Sequence, residues 1–416
     1  MGTGTFVNER PLAPQSKNSA HNFDLPLLVT MTALLVFGAI MLFSASWDFS
    51  LSIYDSPTYM FNHQLMWIGL GLVTAGALAF IDYHHWHKLI VPAMAGTIIL
   101  LIVVLLMSEN ATRFGAKRSI FSGSMQPSEL AKLVSIIYLS VWLYAKRQLL
   151  HDIQLGLIPL GVILGIVGGL IYQQPDLSAA ATVLMMGGLL FFIAGGDLKQ
   201  IGVLLVVAVI AAWIVASISI TGSQRVIDFI AGLKDPLQAS YHVRRSFEAI
   251  VNGGWFGVGI GRAQSKLTGL PVPPTDSIFA VIAEELGLFG SVVLMAIYAV
   301  LVWRGLVIAR RAPDMLGTLL ASGLVFWIGV EALINMAVMV GLLPFAGNAL
   351  PFISAGGSNM VVSLAAIGIL FNISRHQGEG TMTDEDRRSY SAVVDLRGWN
   401  RRRHISRPGS TRTVKS

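Results

Sequence analysis

Ten apolar runs, each close to the ~20 residues that carry a helix across a bilayer, constrain this chain more than any other feature. They fall at about 25–46, 60–81, 88–107, 129–145, 156–173, 178–195, 200–219, 277–303, 315–340 and 357–374. Hydrocarbon offers the backbone no hydrogen-bond partner, so such segments cross as helices that satisfy their own amides. The charge content agrees, with 12% of the 416 residues charged against roughly a quarter in soluble domains. The expected fold is therefore all-α, a polytopic membrane protein of about ten transmembrane helices. A polar N-terminal tail covers 1–24, the transmembrane domain 25–375, and a polar, Arg-rich tail that reads as disordered 376–416. One long extracytoplasmic loop, about 220–275, separates spans 7 and 8. The chain has no cysteine, which excludes disulfides, thiolate metal sites and a cysteine nucleophile. The first apolar run follows a polar tail, so no cleavable signal pattern is evident.

Lys and Arg set orientation, because they concentrate in cytoplasmic loops. Ten spans put both termini on one side, together with Lys88, Lys146, Arg147, Lys199, Arg304, Arg310, Arg311 and the Arg-rich tail. Both termini are accordingly expected in the cytoplasm. The remaining loop cations cluster in two outer connections. Arg113, Lys117 and Arg118 lie in one, and Arg225, Lys234, Arg244, Arg245, Arg262 and Lys266 in the other. Cations on the translocated face run against the usual bias. They read either as loop solvation or as a site for an anion such as a phosphate or diphosphate headgroup.

Carboxylates inside the apolar runs are the second anomaly, since a charge at a bilayer centre costs roughly 2.5–3.5 kcal/mol even on lenient scales. The stretch LPVPPTDSIFAVIAEELGLFG, residues 270–290, carries Asp276, Glu284 and Glu285. Pro271, Pro273 and Pro274 keep a helix from starting before Thr275, so Thr275 or Asp276 is expected as the N-cap of span 8. The positive helix end favours an ionised Asp276, an acceptor rather than an acid. At about 100° per residue, Glu284 falls about 80° around from Asp276 and Glu285 about 180°. One glutamate is thus expected to share a cavity with Asp276 and the other to pair with a different helix.

QPSELAKL, residues 126–133, sets Pro127 in the first turn of span 4. Glu129 and Lys132 are spaced i, i+3 on one face, either a self-neutralising pair or part of a site. Burying both against lipid is expensive, so a polar cavity is implied either way. QQPDL, residues 173–177, puts Asp176 in the short outer turn between spans 5 and 6. LPFISAGGSN, residues 350–359, leads into span 10 with Ser354, Gly356, Gly357 and Ser358. Its glycines either let backbone amides approach a ligand oxygen or form a tight re-entrant turn. WFGVGIG at 255–261 lacks the spacing and βαβ context of a dinucleotide fingerprint. Taken as residues alone, these features describe an outward-facing polar cavity, in an enzyme acting on a lipid-linked anion or in a transporter.

Read in order, SAS at 44–46, GAKRSI at 115–120, QPSELAKL, QPDL at 174–177, GVGIGRAQSK at 257–266, the 270–290 stretch, GLLPFAG at 341–347 and LPFISAGGS resemble the SEDS family (shape, elongation, division and sporulation) over about residues 25–375. VGIGRAQSKL just before LP is closer to the division branch (FtsW-like) than to the elongation branch (RodA-like). The resemblance implies a peptidoglycan glycosyltransferase of the bacterial cytoplasmic membrane, polymerising lipid II at the outer face and working at the division septum. Implied partners are lipid II and its growing glycan chain, a class B penicillin-binding protein and other division proteins, with no nucleic acid. Asp276 matches the aspartate considered catalytic, the general base for the acceptor sugar's 4-hydroxyl in an inverting transfer. Glu129 and Lys132 match the family's polar pair. Arg118, with Arg225 and Lys266, is expected to stabilise the departing diphosphate. Asp176, Ser354, Gly356, Gly357 and Ser358 complete the expected substrate-binding set. Val272, Pro274, Ser277, Ser119, His242, Ala346 and Ala355 depart from the family text, and Glu331 stands where Gln is more common. A lipid II flippase, a RodA-like elongation polymerase and a scaffold for the transpeptidase are the competing readings. No cofactor is certain. A divalent cation (Mg2+ or Mn2+) bridging diphosphate and carboxylate has no compact His/Asp cluster to mark its site.

Overall fold

The computed structural model describes residues 23–107, 126–218 and 220–377, and everything below concerns these. They form helices joined by turns, and each expected span coincides with one helix. In chain order these are α1 (Leu25–Tyr54), α2 (Tyr59–Phe80), α3 (Trp86–Met107), α4 (Pro127–Lys146), α5 (Ile158–Gln173), α6 (Leu177–Ile193), α7 (Leu198–Ile218), α8 (Ile220–Lys234), α9 (Tyr241–Gly253), α10 (Ile278–Arg310), α11 (Met315–Met339) and α12 (Gly357–Arg375). Among the described residues, eight helices are long and apolar enough to cross a membrane, with shorter apolar helices at Leu177–Ile193 and Leu198–Ile210. The expected long loop instead holds α8 and α9.

Local sequence explains the helix starts. Asp24 accepts from the Leu27 amide at 3.0 Å, Asp176 from Ala179 at 3.1 Å and Asp314 from Gly317 at 2.8 Å. Each carboxylate satisfies an orphan first-turn donor. Pro127 opens α4, where its missing N–H costs nothing.

Burial sorts the helices into layers. Within their apolar windows α4 is 83% and α12 89% buried inside the protein, against 22% for α2. α4, α11 and α12 therefore form the centre, with Trp327, Leu324 and Ile136 among its fully buried side chains. At one end of the bundle Tyr83 ties its own turn to the start of α11 and the last turns of α12. Its hydroxyl donates to Asp314 at 2.9 Å and its amide to Asn372 Oδ1 at 2.9 Å.

α10 is broken at Gly287, which adopts φ 69° and ψ −169°. A break inside a spanning segment strands backbone groups that lipid cannot satisfy. The chain after α9 satisfies them. Val258 and Gly259 amides donate to Glu284 O and Glu285 O at 3.0 Å each, while Leu288 and Phe289 amides donate to Gly254 O at 2.9 Å and Trp255 O at 3.1 Å. Glycine is required on both sides of this seam. A Cβ on Gly257 would sit 2.2 Å from Glu285 O, and one on Gly287 would sit 2.4 Å from the Gly257 amide. The WFGVGIG run is thus the plug of a broken helix.

Candidate active site

The N-terminal ends of α4, α6 and α12 converge with the chain entering α10 and the far end of α11 around a cavity of about 210 Å3. Its charged walls are Glu129, Lys132, Asp176, Asp276 and Glu331.

Lys132 is the hub. Its Nζ contacts Glu129 Oε1 at 2.9 Å and also pairs with Glu331 Oε1 on α11. Glu129 Oε2 in turn accepts from Asn359 Nδ2 on α12 at 2.9 Å. The expected pair is therefore part of a triad with two carboxylates to one ammonium, knitting the three central helices. Glu331 Oε2 has no hydrogen-bond partner among the described residues.

Asp176 has a double role. Oδ1 caps α6, and Oδ2 accepts from Gln126 Nε2 at 2.7 Å and Ser128 Oγ at 3.0 Å. The Gln126 amide in turn donates to Ser358 Oγ at 3.0 Å, binding the α4 and α12 starts together.

Asp276 does not cap α10, contrary to expectation. The helix begins at Ile278, and Ser277 at the cap position donates to Pro271 O at 2.8 Å instead. The proline-rich turn folds back on itself before the helix starts, so the Asp276 carboxylate is left at the cavity wall. Its main chain is held from outside at successive carbonyls. The Ala355 amide donates to Pro274 O at 2.8 Å, Ser354 Oγ to Thr275 O at 2.7 Å, and Asn335 Nδ2 to Asp276 O at 2.9 Å. The side chain lies flush against Gly347, where a Cβ would come within 2.8 Å of Oδ2. Such a held carboxylate, acceptor-only when ionised, is suited to taking a proton from a hydroxyl brought into the cavity.

Ser354 thus acts on the Asp276 turn, and its Oγ also accepts from the Leu350 amide at 2.7 Å. The Gly356 amide donates to Gln64 Oε1 at 3.1 Å. Gly356, Gly357 and Ser358 line the cavity in a tight turn into α12.

Three expected residues, Glu284, Lys266 and Arg225, stand away from this cavity. Glu284 does not share the cavity with Asp276. It accepts from the Gln264 amide at 3.0 Å and the Ser265 amide at 3.2 Å, because Asp276 precedes the helix and so does not share its register. Glu285 pairs with another helix, as expected, taking the Ser44 hydroxyl of α1 at 2.6 Å. Lys266 joins this second cluster, at 3.3 Å from Glu285, rather than the cavity. Arg225 lies over the Phe345 ring at 5.6 Å, with His242 stacked on that ring at 4.1 Å. Burial, then the nearby Arg225 charge, lowers the pKa of His242 below the usual histidine value. Arg118 lies outside the described residues.

Sequence reasoning missed Asn335 and Asn359 and noted Glu331 only as a departure. Glu331 and Asn359 find their partners on α4, and Asn335 finds its own in the turn before α10 and the loop after α11, so spacing along α11 or α12 gives no signal beyond polar residues in apolar runs.

A many-helix membrane fold enclosing a buried carboxylate–lysine cavity defines the class. A family model described as "Cell cycle protein" and covering FtsW, RodA and SpoVE matches residues 25–379. The chain belongs to that family. It is 34% identical to a probable peptidoglycan glycosyltransferase FtsW of Geobacter sp. (strain M18), over 85% of this chain and 96% of the relative. It is 32% identical to stage V sporulation protein E of Bacillus subtilis (strain 168), over 85% and 97%. Among solved structures, a chain from a peptidoglycan synthase complex that coordinates polymerization and crosslinking aligns with TM-score 0.69 and 25% identity, over 86% of this chain and 99% of that one. Thermus thermophilus RodA shares the fold at TM-score 0.63 and 24% identity, over 86% and 98%.

Proposed function

We propose that this protein is a peptidoglycan glycosyltransferase that polymerises lipid II at the outer face of the cytoplasmic membrane during septal wall synthesis, with Asp276 as general base. The observation that carries the reading is the Asp276 carboxylate on the wall of a polar cavity, with its main chain held on both sides by Asn335 and Ser354. The acceptor sugar's 4-hydroxyl gives its proton to Asp276 as its oxygen attacks the donor's anomeric carbon. The bond from that carbon to the diphosphate breaks, the diphosphate leaves with the electron pair, and configuration inverts. Lys132 is the cation on the described cavity wall, and Glu129 and Glu331 hold it. Arg118 remains a proposed diphosphate ligand. Lys266 and Arg225 stand outside this cavity, so the reading does not rest on them. Four carboxylates line the cavity, but among the described residues no three His, Asp or Glu side chains are grouped closely enough to hold a metal ion. A divalent cation bridging diphosphate and carboxylate stays a proposal. No step is routed through one.

The relatives' names and the synthase-complex neighbour support a class B penicillin-binding protein as partner, supplying crosslinks. The placement of Lys and Arg supports cytoplasmic termini, which puts the cavity at the outer face. Lipid II supplied only to the outer leaflet of proteoliposomes holding this protein and its transpeptidase should be converted to glycan strands. Transbilayer movement of labelled lipid without any polymer would make the protein a flippase instead.

A further inference from the structure

The turn that holds Asp276 is itself held from α2. Ser354 Oγ donates to Thr275 O at 2.7 Å and the Ala355 amide to Pro274 O at 2.8 Å, so residues 354–356 act as a strap on the chain entering α10. Both segments carry strained backbone. Phe352, just before the strap, has φ 67°, and Val272, just before the Asp276 turn, has φ 44°. Bulky and β-branched residues take up that left-handed conformation only where their surroundings impose it.

Gln64 supplies part of that constraint. It is 3% exposed. Its Nε2 donates to Ser354 O at 3.3 Å, and its Oε1 accepts from the Gly356 amide at 3.1 Å. One planar carboxamide therefore brackets Ala355, giving a donor to the carbonyl before it and an acceptor to the amide after it. Both ends of the side chain are used, and both act on strap backbone.

The packing of α2 explains how a glutamine comes within reach. The other buried residues of α2 are Gly71, Ala75 and Ala79, which share a helix face with Gln64. A Cβ on Gly71 would sit 2.6 Å from Leu364 Cδ1, and one on Gly368 of α12 would sit 2.4 Å from Ala75 O. Small residues thus let α2 and α12 approach closely, as packed membrane helices do, and Gln64 stands at the end of this seam where α12 begins. Gln64 does not line the cavity, so any effect it has on the reaction passes through the strap.

We propose that Gln64 is a positioning residue of the polymerase. It fixes the strap at Ser354 and Gly356, and through Pro274 O and Thr275 O it sets where the Asp276 carboxylate stands. This rests on the polymerase reading and adds to it a residue on a helix that lends the cavity no wall.

Gln64→Met and Gln64→Leu, in the full chain with the transpeptidase partner present, delete both polar ends and leave an apolar side chain. The kcat for glycan formation should fall about tenfold, because a small displacement of a catalytic group is costly. KM for lipid II should stay within about twofold, since no contact to substrate is removed. Ser354→Ala breaks the next link, and the double variant Gln64→Met with Ser354→Ala should fall little below the lower single variant, because both release one turn. A second arm needs no activity. Amide hydrogen exchange at Ala355 and Thr275 should quicken about tenfold in Gln64→Met, while exchange in α4 stays unchanged. Wild-type kcat in folded variants, a raised KM with kcat intact, losses that multiply in the double variant, or unmoved exchange at Thr275 would each overturn the proposal. So would failure of both variants to fold, which would make Gln64 structural. Absence of glycan from the wild type would sink the polymerase reading, while the exchange arm would still decide whether Gln64 holds the Asp276 turn.

Discussion

Two clusters of carboxylate and lysine flank the start of α10, built from the same residue types and put to opposite uses. In the cavity, Glu129, Lys132 and Glu331 stand with Asp276 around open space of about 210 Å3. In the second, Glu284, Glu285 and Lys266 fasten a loop. Lys266 Nζ lies 3.1 Å from Ser44 O, 3.1 Å from Gly261 O and 3.3 Å from Glu285. Glu284 takes loop amides as its acceptor role allows. Each charge there seals the broken helix against α1 and the returning chain. Intramembrane charge alone therefore does not mark a catalytic group. Lys266 also borders an open, mainly apolar groove of about 720 Å3, so adjacent room does not mark one either. At Asp276 the charge stands on the wall of a polar cavity while neighbouring residues hold its backbone.

The comparison can be broken by substitution, and the largest effect is expected at the hub. Lys132→Met leaves Glu129 and Glu331 facing each other without a cation. Breaking a buried pair in this way typically costs about 3–5 kcal/mol, so folded yield should collapse and glycan should vanish with it. Removing Glu129 together with Lys132 should not rescue yield, because Glu331 would remain unpaired. Rescue in that double variant would show that Glu331 is not a full member of the triad.

Next in size is Gly347→Ala. The added Cβ pushes on Asp276 Oδ2 from 2.8 Å, and displacing a catalytic group by about 1 Å costs up to ~10²-fold. Polymerisation should drop at least about tenfold, with thermal unfolding unchanged. Wild-type turnover in this variant would mean that the carboxylate's position is not critical.

Glu331→Gln should be milder. It leaves the Glu129–Lys132 pair balanced one to one, so the loss of stability should be smaller than the about 3–5 kcal/mol expected for removing Lys132, and glycan synthesis should persist. Loss of activity here would promote Glu331 from supporting Lys132 to a chemical role.

The smallest effect lies outside the spanning helices. His242 has a lowered pKa through burial and the Arg225 charge, so the unfolded chain binds its proton more readily than the folded one. Stability from this residue is complete above the ordinary histidine pKa near 6.5. It falls as pH drops toward the lower folded value. Unfolding followed from pH 8 to pH 5 should show this loss in the wild type and a shallower one in His242→Phe. Identical slopes would remove His242 from the account.

Much of this was legible in sequence because it is local. The spans follow from runs of apolar residues, and the Glu129–Lys132 contact from i, i+3 spacing on a helix that Pro127 starts. Asp276 stood out through the motif around it. What was not legible is tertiary. Extrapolating helix register from Asp276 misplaced Glu284, because the helix starts at Ile278 and breaks at Gly287. Charge pattern alone places Lys266 at the anion site, whereas the loop carrying it folds back onto α1. Asn335 reaches Asp276 across 59 residues of chain, a distance over which no periodicity speaks.

The most direct test sets the two clusters against each other in one assay, comparing Asp276→Asn with Lys266→Met by glycan formed from lipid II per folded molecule. The account predicts that Asp276→Asn folds with wild-type yield and loses about 10²–10⁴-fold in polymerisation, the usual cost of removing a general base. Lys266→Met should lose folded yield, while the molecules that fold polymerise close to normally. Near wild-type glycan from Asp276→Asn, or an inactive but fully folded Lys266→Met, would contradict the division of labour between the clusters.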